Sequence, residues 1–330
     1  MECIDEGAGY HGIIAIHSTA RGPAVGGTRV WNYGSVDEAL KDALRLSRGM
    51  SFKSALAGLY FGGGKSVIIA DNRRIDREKI FRAHGRFIDT LKGKYITGED
   101  VGTTPADMAL VRLETPYVAG LAEKSGDPSP HTARGVFRAM QAAAAHKWKN
   151  ENLSGRRVAI QGCGHVGYYL ALELHRAGAK LVVTDIDPAN QKKVADETGA
   201  QIVPTGAIFD VEADVFAPCA LGGILDDATI PRLRMSIVCG AANNQLAEDR
   251  HGATLEARGI LYVPDYVANA GGIINGVREV MAPGSKNVPS VEAIYSTTTE
   301  VLNLAKSKGI PPSEAADALA QSLLQGKQAQ

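Results

Sequence analysis

A chain of 330 residues exceeds the usual length of one domain and predicts two domains sharing a cleft. Apolar residues make up 45%, charged residues 22% and aromatics 6%, which excludes disordered, collagenous and coiled-coil chains. Basic and acidic residues balance at 36 each, so no net field selects nucleic acid or an anionic membrane, and neither is expected as a partner.

In chain order, GIIAIHS (12–18) predicts a strand, VDEALKDALRLSRGM (36–50) a helix and KSVIIAD (65–71) a buried strand. A helix near 77–91, a strand at 94–97 and a helix from about 105 follow. In the 36–50 helix Ala39, Leu40, Ala43, Leu44 and Leu46 keep close to a 3.6 period, with Ser35 ahead of them as N-cap. The Gly-, Pro- and Ser-rich stretch 119–135 is aperiodic and precedes a long helix at about 134–149, so the domain boundary is set there. Apolar strands then recur at 156–164, 180–187, 213–221, 235–243 and 260–272, several separated by helices, which is the rhythm of a doubly wound parallel sheet. The expected fold is α/β in three parts: an N-terminal α/β domain (1–131), a dinucleotide-binding Rossmann domain (132–290) and C-terminal helices (291–330) returning toward the first domain.

Cys3, Cys163, Cys219 and Cys239 form no C-x-x-C pair and read as reduced core thiols, so no metal is expected. The opening MECIDEGAGYHG lacks the basic-then-apolar order of a signal peptide, and no apolar run reaches the ~20 residues of a membrane span, so a cytoplasmic protein is expected.

GCGHVG follows the strand RRVAI directly and opens a helix. Gly162 permits the tight turn, Gly164 lets backbone N–H groups approach a pyrophosphate, and Gly167 lets the helix pack on the strand. His165 and Val166 complete the turn, with the His165 side chain expected in solvent. Asp185 lies 23 residues beyond Gly162 at the end of LVVTD; its carboxylate suits two ribose hydroxyls and would repel a 2′-phosphate, so NAD is the expected cofactor. Asp187, before Pro188, reads as a turn residue. FGGGKS, around Lys65, lacks the first glycine of a phosphate loop; its glycines instead suit a substrate approaching backbone beside an ammonium.

Taken in order, GPAVGGTR (22–29), RGMSFKSALAGLYFGGGKSVI (48–68), YITGEDVGTT (95–104), GCGHVG, APCALGG (217–223), GAANNQL (240–246) and DYVANAGGIIN (265–275) resemble the amino-acid dehydrogenase family that includes leucine, phenylalanine, valine and tryptophan dehydrogenases. The resemblance covers nearly the whole chain. It implies reversible, NAD-dependent oxidative deamination of an apolar or aromatic L-amino acid to the 2-oxo acid, ammonia and NADH. By the same resemblance Lys65 is the general base with Asp100 as its partner. Lys53 holds the substrate carboxylate with the backbone of Gly26 and Gly27 and an amide of Asn243 or Asn244. Thr132 resembles a residue near the nicotinamide amide, Asn243 is also a cofactor-binding candidate, and Ala220 resembles part of the adenosine-side wall. The implied side-chain pocket is Val25, Gly98, Ile273 and Gly276; glycine at 98 and 276 enlarges it, leaving leucine-like and phenylalanine-like substrates both open. The first domain carries the substrate and the subunit contacts of a homodimer or larger homo-oligomer. Trp31 either closes over substrate or packs a core, and packing is expected.

The chemistry fits these residue types. An α-amino acid needs a cation for its carboxylate, hydride departure from Cα needs a neutral amine, and water must lose a proton to attack the imine. A lysine serves as base near neutrality only if its pKa falls from about 10.4 to roughly 7–8, which burial promotes and a carboxylate opposes. The rival reading is a catalytically silent NAD-binding sensor, which would dispense with one of Lys53, Lys65 and Asp100; all three are present.

Overall fold

The computed structural model describes residues 1–120, 127–277 and 289–326. These form two compact units, one from 1–120, 273–277 and 320–326, the other from 127–272 and 289–319. The tail differs from expectation: residues 289–319 belong to the second unit, and only the stretch from 320 joins the first.

Among the described residues, the first unit holds the strands β1 (Glu2–Asp5), β2 (Tyr10–Ser18), β3 (Ala24–Val25), β4 (Thr28–Trp31), β5 (Gly62–Ile69) and β6 (Tyr95–Ile96). Its helices include α1 (Val36–Leu56), α2 (Arg77–Thr90) and α3 (Pro105–Arg112). The sheet runs β1-β2-β5-β3-β6, with β4 continuing along β5 beyond β3. β2 is antiparallel to β1 and β5, whereas β3 and β4 run parallel to β5. Period-two alternation makes two apolar layers. Ile13, Ala15 and Val67 pack on Ala39 and Ala43 of α1, while Ile14, Val30 and Ile68 join Ile80, Phe81 and Ile88 of α2 and Met108 and Val111 of α3.

Ser35 caps α1 by accepting from the Glu38 amide, and the helix passes its expected end at 50 because Phe52, Ala55 and Leu56 keep the buried face going. β5 likewise begins before its expected start, so Gly62–Gly64 are strand residues. Trp31 is 54% exposed, which corrects the packing role expected of it.

The second unit contains α4 (Ser129–Trp148), β7 (Arg157–Gln161), α5 (His165–Arg176), β8 (Lys180–Thr184), α6 (Pro188–Thr198), β9 (Gln201–Ile202) and β10 (Val215–Pro218). Next come β11 (Ile237–Val238), α7 (Arg250–Ala257), β12 (Leu261–Tyr262), α8 (Asp265–Ala268) and α10 (Ile294–Lys308). Two further helices, α9 (Gly271–Gly276) and α11 (Pro312–Leu324), carry the chain across the division between units. The sheet is wholly parallel in the order β12-β11-β10-β7-β8-β9, which reverses direction between β7 and β10. That reversal is the topological switch point of a doubly wound sheet.

Here too the boundaries move. α4 starts at Ser129, ahead of the expected 134, because Pro130 is compatible with a first helical turn. Residues 121–126 of the expected linker lie outside the described residues. The stretches at 235–243 and 260–272 pair only over Ile237–Val238 and Leu261–Tyr262, since the chain beyond each turns into loop or short helix.

Candidate active site

On the α1 face of the first sheet Lys65 projects from the middle of β5. It is 4% exposed, and its Nζ lies 2.9 Å from Asp100 Oδ2. Arg29 Nε donates to the same Oδ2, also at 2.9 Å, while Arg29 Nη1 donates to Asp42 Oδ2 on α1 at 3.0 Å. The Tyr33 hydroxyl donates to that Asp42 oxygen at 2.7 Å. Burial pushes the Lys65 ammonium toward losing its proton, and the neighbouring Asp100 carboxylate holds the shift back. At Asp100 burial acts to raise the pKa, but the charges of Lys65 and Arg29 outweigh it and hold the carboxyl below the usual range.

The Asp100 loop is held by Thr103, whose Oγ1 accepts from the Asp100 amide at 2.8 Å and donates to the Thr28 carbonyl at 3.1 Å. Gly26 and Gly27 interrupt the run from β3 to β4 beside these groups. A Cβ on Gly26 would collide with the Gly64 carbonyl, and one on Gly27 with the Glu99 carbonyl, so only glycine fits. The Tyr95 hydroxyl donates to the Gly26 carbonyl at 2.5 Å.

Beneath, on the opposite face of the sheet, a wholly buried polar chain supports this backbone. Thr28 Oγ1 lies 2.8 Å from Ser66 Oγ, 2.8 Å from His84 Nε2 and 2.6 Å from Thr97 Oγ1. His84 Nδ1 meets the Tyr10 hydroxyl at 2.8 Å. Burial lowers the His84 pKa to about 3, so the imidazole is neutral across the physiological range.

Lys53 is half-buried in the last turn of α1. Val25 is buried on β3, and Gly98 accepts from the Thr28 amide at 2.8 Å. A Cβ at Gly98 would come no closer than 3.5 Å to the Ala119 carbonyl, and one at Gly276 would meet nothing within 4 Å. Ile273 and Gly276 are half-buried on α9.

In the second unit Gly162 follows β7 with φ +95°, a left-handed conformation that favours glycine, and a Cβ there would press on the Ala220 amide nitrogen at 2.8 Å. Gly162 after β7 and Ala220 after β10 therefore meet at the switch point. A Cβ on Gly167 would collide with the Gly162 carbonyl, whereas one on Gly164 would meet nothing within 4 Å. That open volume lies over the N-terminus of α5, where Gly164 is N-cap without a side-chain cap bond and the first-turn amides face out. His165 is exposed and Val166 half-buried in that turn.

Asp185 Oδ2 accepts from the Cys163 amide at 2.5 Å and Oδ1 from the Asp187 amide at 2.8 Å, which aims the carboxylate while leaving each oxygen a lone pair. Asp187 caps α6. The residues thus fit a dinucleotide: an open anion cradle on a helix terminus with an oriented acid just beyond the next strand. Thr132, in the first turn of α4, touches the space above Gly272. Asn243 and Asn244 are exposed, and Asn243 Oδ1 accepts from Asn269 Nδ2 at 2.7 Å.

All four cysteines are free thiols, and among the described residues no group of His, Cys, Asp and Glu is placed to hold a metal. No helix among them is long and apolar enough to cross a membrane.

Arg29, Asp42, His84 and Asn269 were not singled out in the sequence. Arg29 and Asn269 had a signal, standing inside the motifs GGTR and DYVANAGG; the parallel pairing of Arg29 with Val67 turns it to the face that carries Lys65.

Residues 4–117 match the sequence profile described as Glu/Leu/Phe/Val dehydrogenase, dimerisation domain, and residues 126–202 and 183–303 match Glutamate/Leucine/Phenylalanine/Valine dehydrogenase. The chain is 51% identical to a leucine dehydrogenase of Thermoactinomyces intermedius across 98% of its length and 89% of that protein's. It is 44% identical to a phenylalanine dehydrogenase of Caldalkalibacillus thermarum, across 98% and 90%. The crystal structure of L-tryptophan dehydrogenase from Nostoc punctiforme superposes with a TM-score of 0.88 at 43% identity, covering 99% of this chain and 95% of that one.

Proposed function

The chain belongs to the Glu/Leu/Phe/Val dehydrogenase family and is an amino-acid dehydrogenase, and from there we propose that it oxidatively deaminates an apolar L-amino acid with NAD⁺. The products are the 2-oxo acid, NADH, ammonium and a proton, with one water consumed. The observation that carries the reading is the buried Lys65 ammonium 2.9 Å from Asp100 Oδ2.

In this reading the cofactor, when bound, accepts the hydride from the substrate Cα. The substrate reacts as the neutral amine, its ammonium proton released to solvent; Lys65 takes the proton that the attacking water loses and returns it to the departing amine, and Asp100 orients its Nζ. Lys53 receives the α-carboxylate together with the Gly26 and Gly27 backbone and an amide of Asn243 or Asn244. Val25, Gly98, Ile273 and Gly276 receive the side chain. The turn Gly162, Gly164, His165, Val166 and Gly167 takes the pyrophosphate on its backbone, and Asp185 takes the ribose hydroxyls. Thr132 and Asn243 attend the nicotinamide, and Ala220 the adenosine side. NAD over NADP is supported by the orientation of the Asp185 carboxylate, which would repel a 2′-phosphate. A homodimer or larger homo-oligomer through the first unit is proposed, in keeping with the profile that its sequence matches.

Leucine and other branched-chain substrates are the first choice, in line with the 51% identity to a leucine dehydrogenase. An aromatic substrate is the second, favoured by the room that Gly98 and Gly276 leave. The test is NADH formation across the L-amino acids with NAD⁺ and with NADP⁺. Turnover of leucine, valine or phenylalanine that drops about 10²–10⁴-fold in Lys65→Ala is the expected result. NAD binding without turnover of any amino acid would overturn the proposal in favour of a silent sensor.

A further inference from the structure

We propose that Arg29 is a positioning residue that holds Asp100 as a fixed anion while Lys65 gains and loses its proton. The inference rests on the reading of Lys65 as the base.

Lys65 Nζ and Arg29 Nε share a single acceptor, Asp100 Oδ2, each at 2.9 Å. When Lys65 is neutral its claim on that oxygen weakens. An unpaired carboxylate beside a buried amine would be costly, and the cheapest remedy would be for Lys65 to keep its proton. Arg29 removes that penalty, because a guanidinium stays charged at every pH of interest and remains on Asp100 throughout. Its Nη1 bond to Asp42 at 3.0 Å, with the Tyr33 hydroxyl on the same Asp42 oxygen at 2.7 Å, keeps the fork from following the proton.

The groups acting on Lys65 come from three neighbours of β5: Asp100 from the loop after β6, Arg29 from β4 and Asp42 from α1. α1 also carries Arg48 and Lys53, and β2 carries His17, whose Nδ1 lies 2.8 Å from Ser51 Oγ. After burial and the opposing pull of Asp100, the Arg29 charge is the next influence on Lys65, and it favours the neutral amine.

The experiment compares kcat for oxidative deamination against pH in the full-length wild type, Arg29→Gln, Arg29→Lys and Lys65→Ala, using NAD⁺ and the best amino acid, with Tm of each. The substrate's own amine titrates alike in all. Arg29→Gln is expected to move the acid limb up by about one pH unit, so that kcat falls about tenfold at pH values well below the limb and the gap closes at high pH. Arg29→Lys restores a cation without the fork, and its limb is expected to fall between the two. An acid limb that stays put in both variants, with a loss of kcat equal at every pH, would reduce Arg29 to a structural residue and overturn the inference. If Arg29→Gln fails to fold, Arg29→Lys decides by the same criterion. Lys65→Ala separates the two readings. Retention of the wild-type limb in that variant removes the base assignment and this inference with it, whereas its inactivity beside unmoved Arg29 variants overturns the inference alone.

Discussion

Asn269 Nδ2 lies 2.7 Å from Asn243 Oδ1, and its other hydrogen reaches the Ala241 carbonyl at 3.0 Å. The carbonyl can only accept, so it sets which way the Asn269 amide faces, and Asn269 in turn sets Asn243. With its oxygen engaged, Asn243 presents its NH₂ group. That orientation matches its proposed role as donor to a carboxylate or to the nicotinamide amide.

Asn269→Ala would free the Asn243 amide to rotate. The expected outcome is a rise of about tenfold in KM for the amino acid or for NAD⁺, equivalent to ~1.4 kcal/mol, with the rise identifying which of the two Asn243 addresses. Steady-state kinetics with each substrate varied in turn measures it. Unchanged KM for both would mean that Asn243 touches neither.

Gly164 and Gly167 should respond oppositely to alanine. A Cβ on Gly164 meets nothing, so Gly164→Ala should leave Tm nearly unchanged while weakening NAD binding, because it intrudes where the pyrophosphate is proposed to approach. In Gly167→Ala the Cβ strikes the Gly162 carbonyl, which should destabilise the fold by about 1–3 kcal/mol. Calorimetry with and without NAD distinguishes them, and a large fall in Tm for Gly164→Ala would contradict the first expectation.

Asp185→Asn removes the charge proposed to repel a 2′-phosphate while keeping the side chain's shape. The ratio of kcat/KM for NAD⁺ over NADP⁺ should fall by at least tenfold, chiefly through KM. A constant ratio would move cofactor discrimination to other residues.

His84 couples stability to pH. Its pKa is about 3 in the folded chain against an ordinary 6.5, because burial disfavours the cation. Between those values the unfolded chain binds a proton that the folded chain does not. Stability therefore falls as pH drops from 6.5 toward 3, by up to about 1.4 kcal/mol per pH unit from this group alone. His84→Gln should be less stable than wild type near neutrality, since Thr28 and Tyr10 lose their partner. Urea unfolding should find that difference shrinking as the pH is lowered to 5. A difference independent of pH would mean that His84 takes up its proton as readily in the fold as in the unfolded chain.

The cofactor half of the proposed site was legible in the sequence because it is nearly contiguous. One strand, one turn, one helix and the acid at the end of the next strand make a local βαβ unit, and glycine spacing with apolar periodicity marks each part. The order of motifs likewise identified the family and, through it, brought forward Lys65 and Asp100 as candidates. Boundaries were less legible at Gly62–Gly64, which look like a loop by composition yet form a strand because neighbouring backbones approach too closely for side chains.

What the sequence determined by itself, then, was the α/β class, the glycine-rich turn proposed for a dinucleotide and the reaction family, all carried by local periodicity or by motifs in order. Tertiary structure alone decided the partners of the residues proposed for the chemistry. Arg29 reaches Asp100 across 71 positions, His84 reaches Thr28 across 56, and Asn269 reaches Asn243 across 26. No local pattern marks such pairs, because a charge or amide acquires its function from the buried group that the folded sheet sets against it.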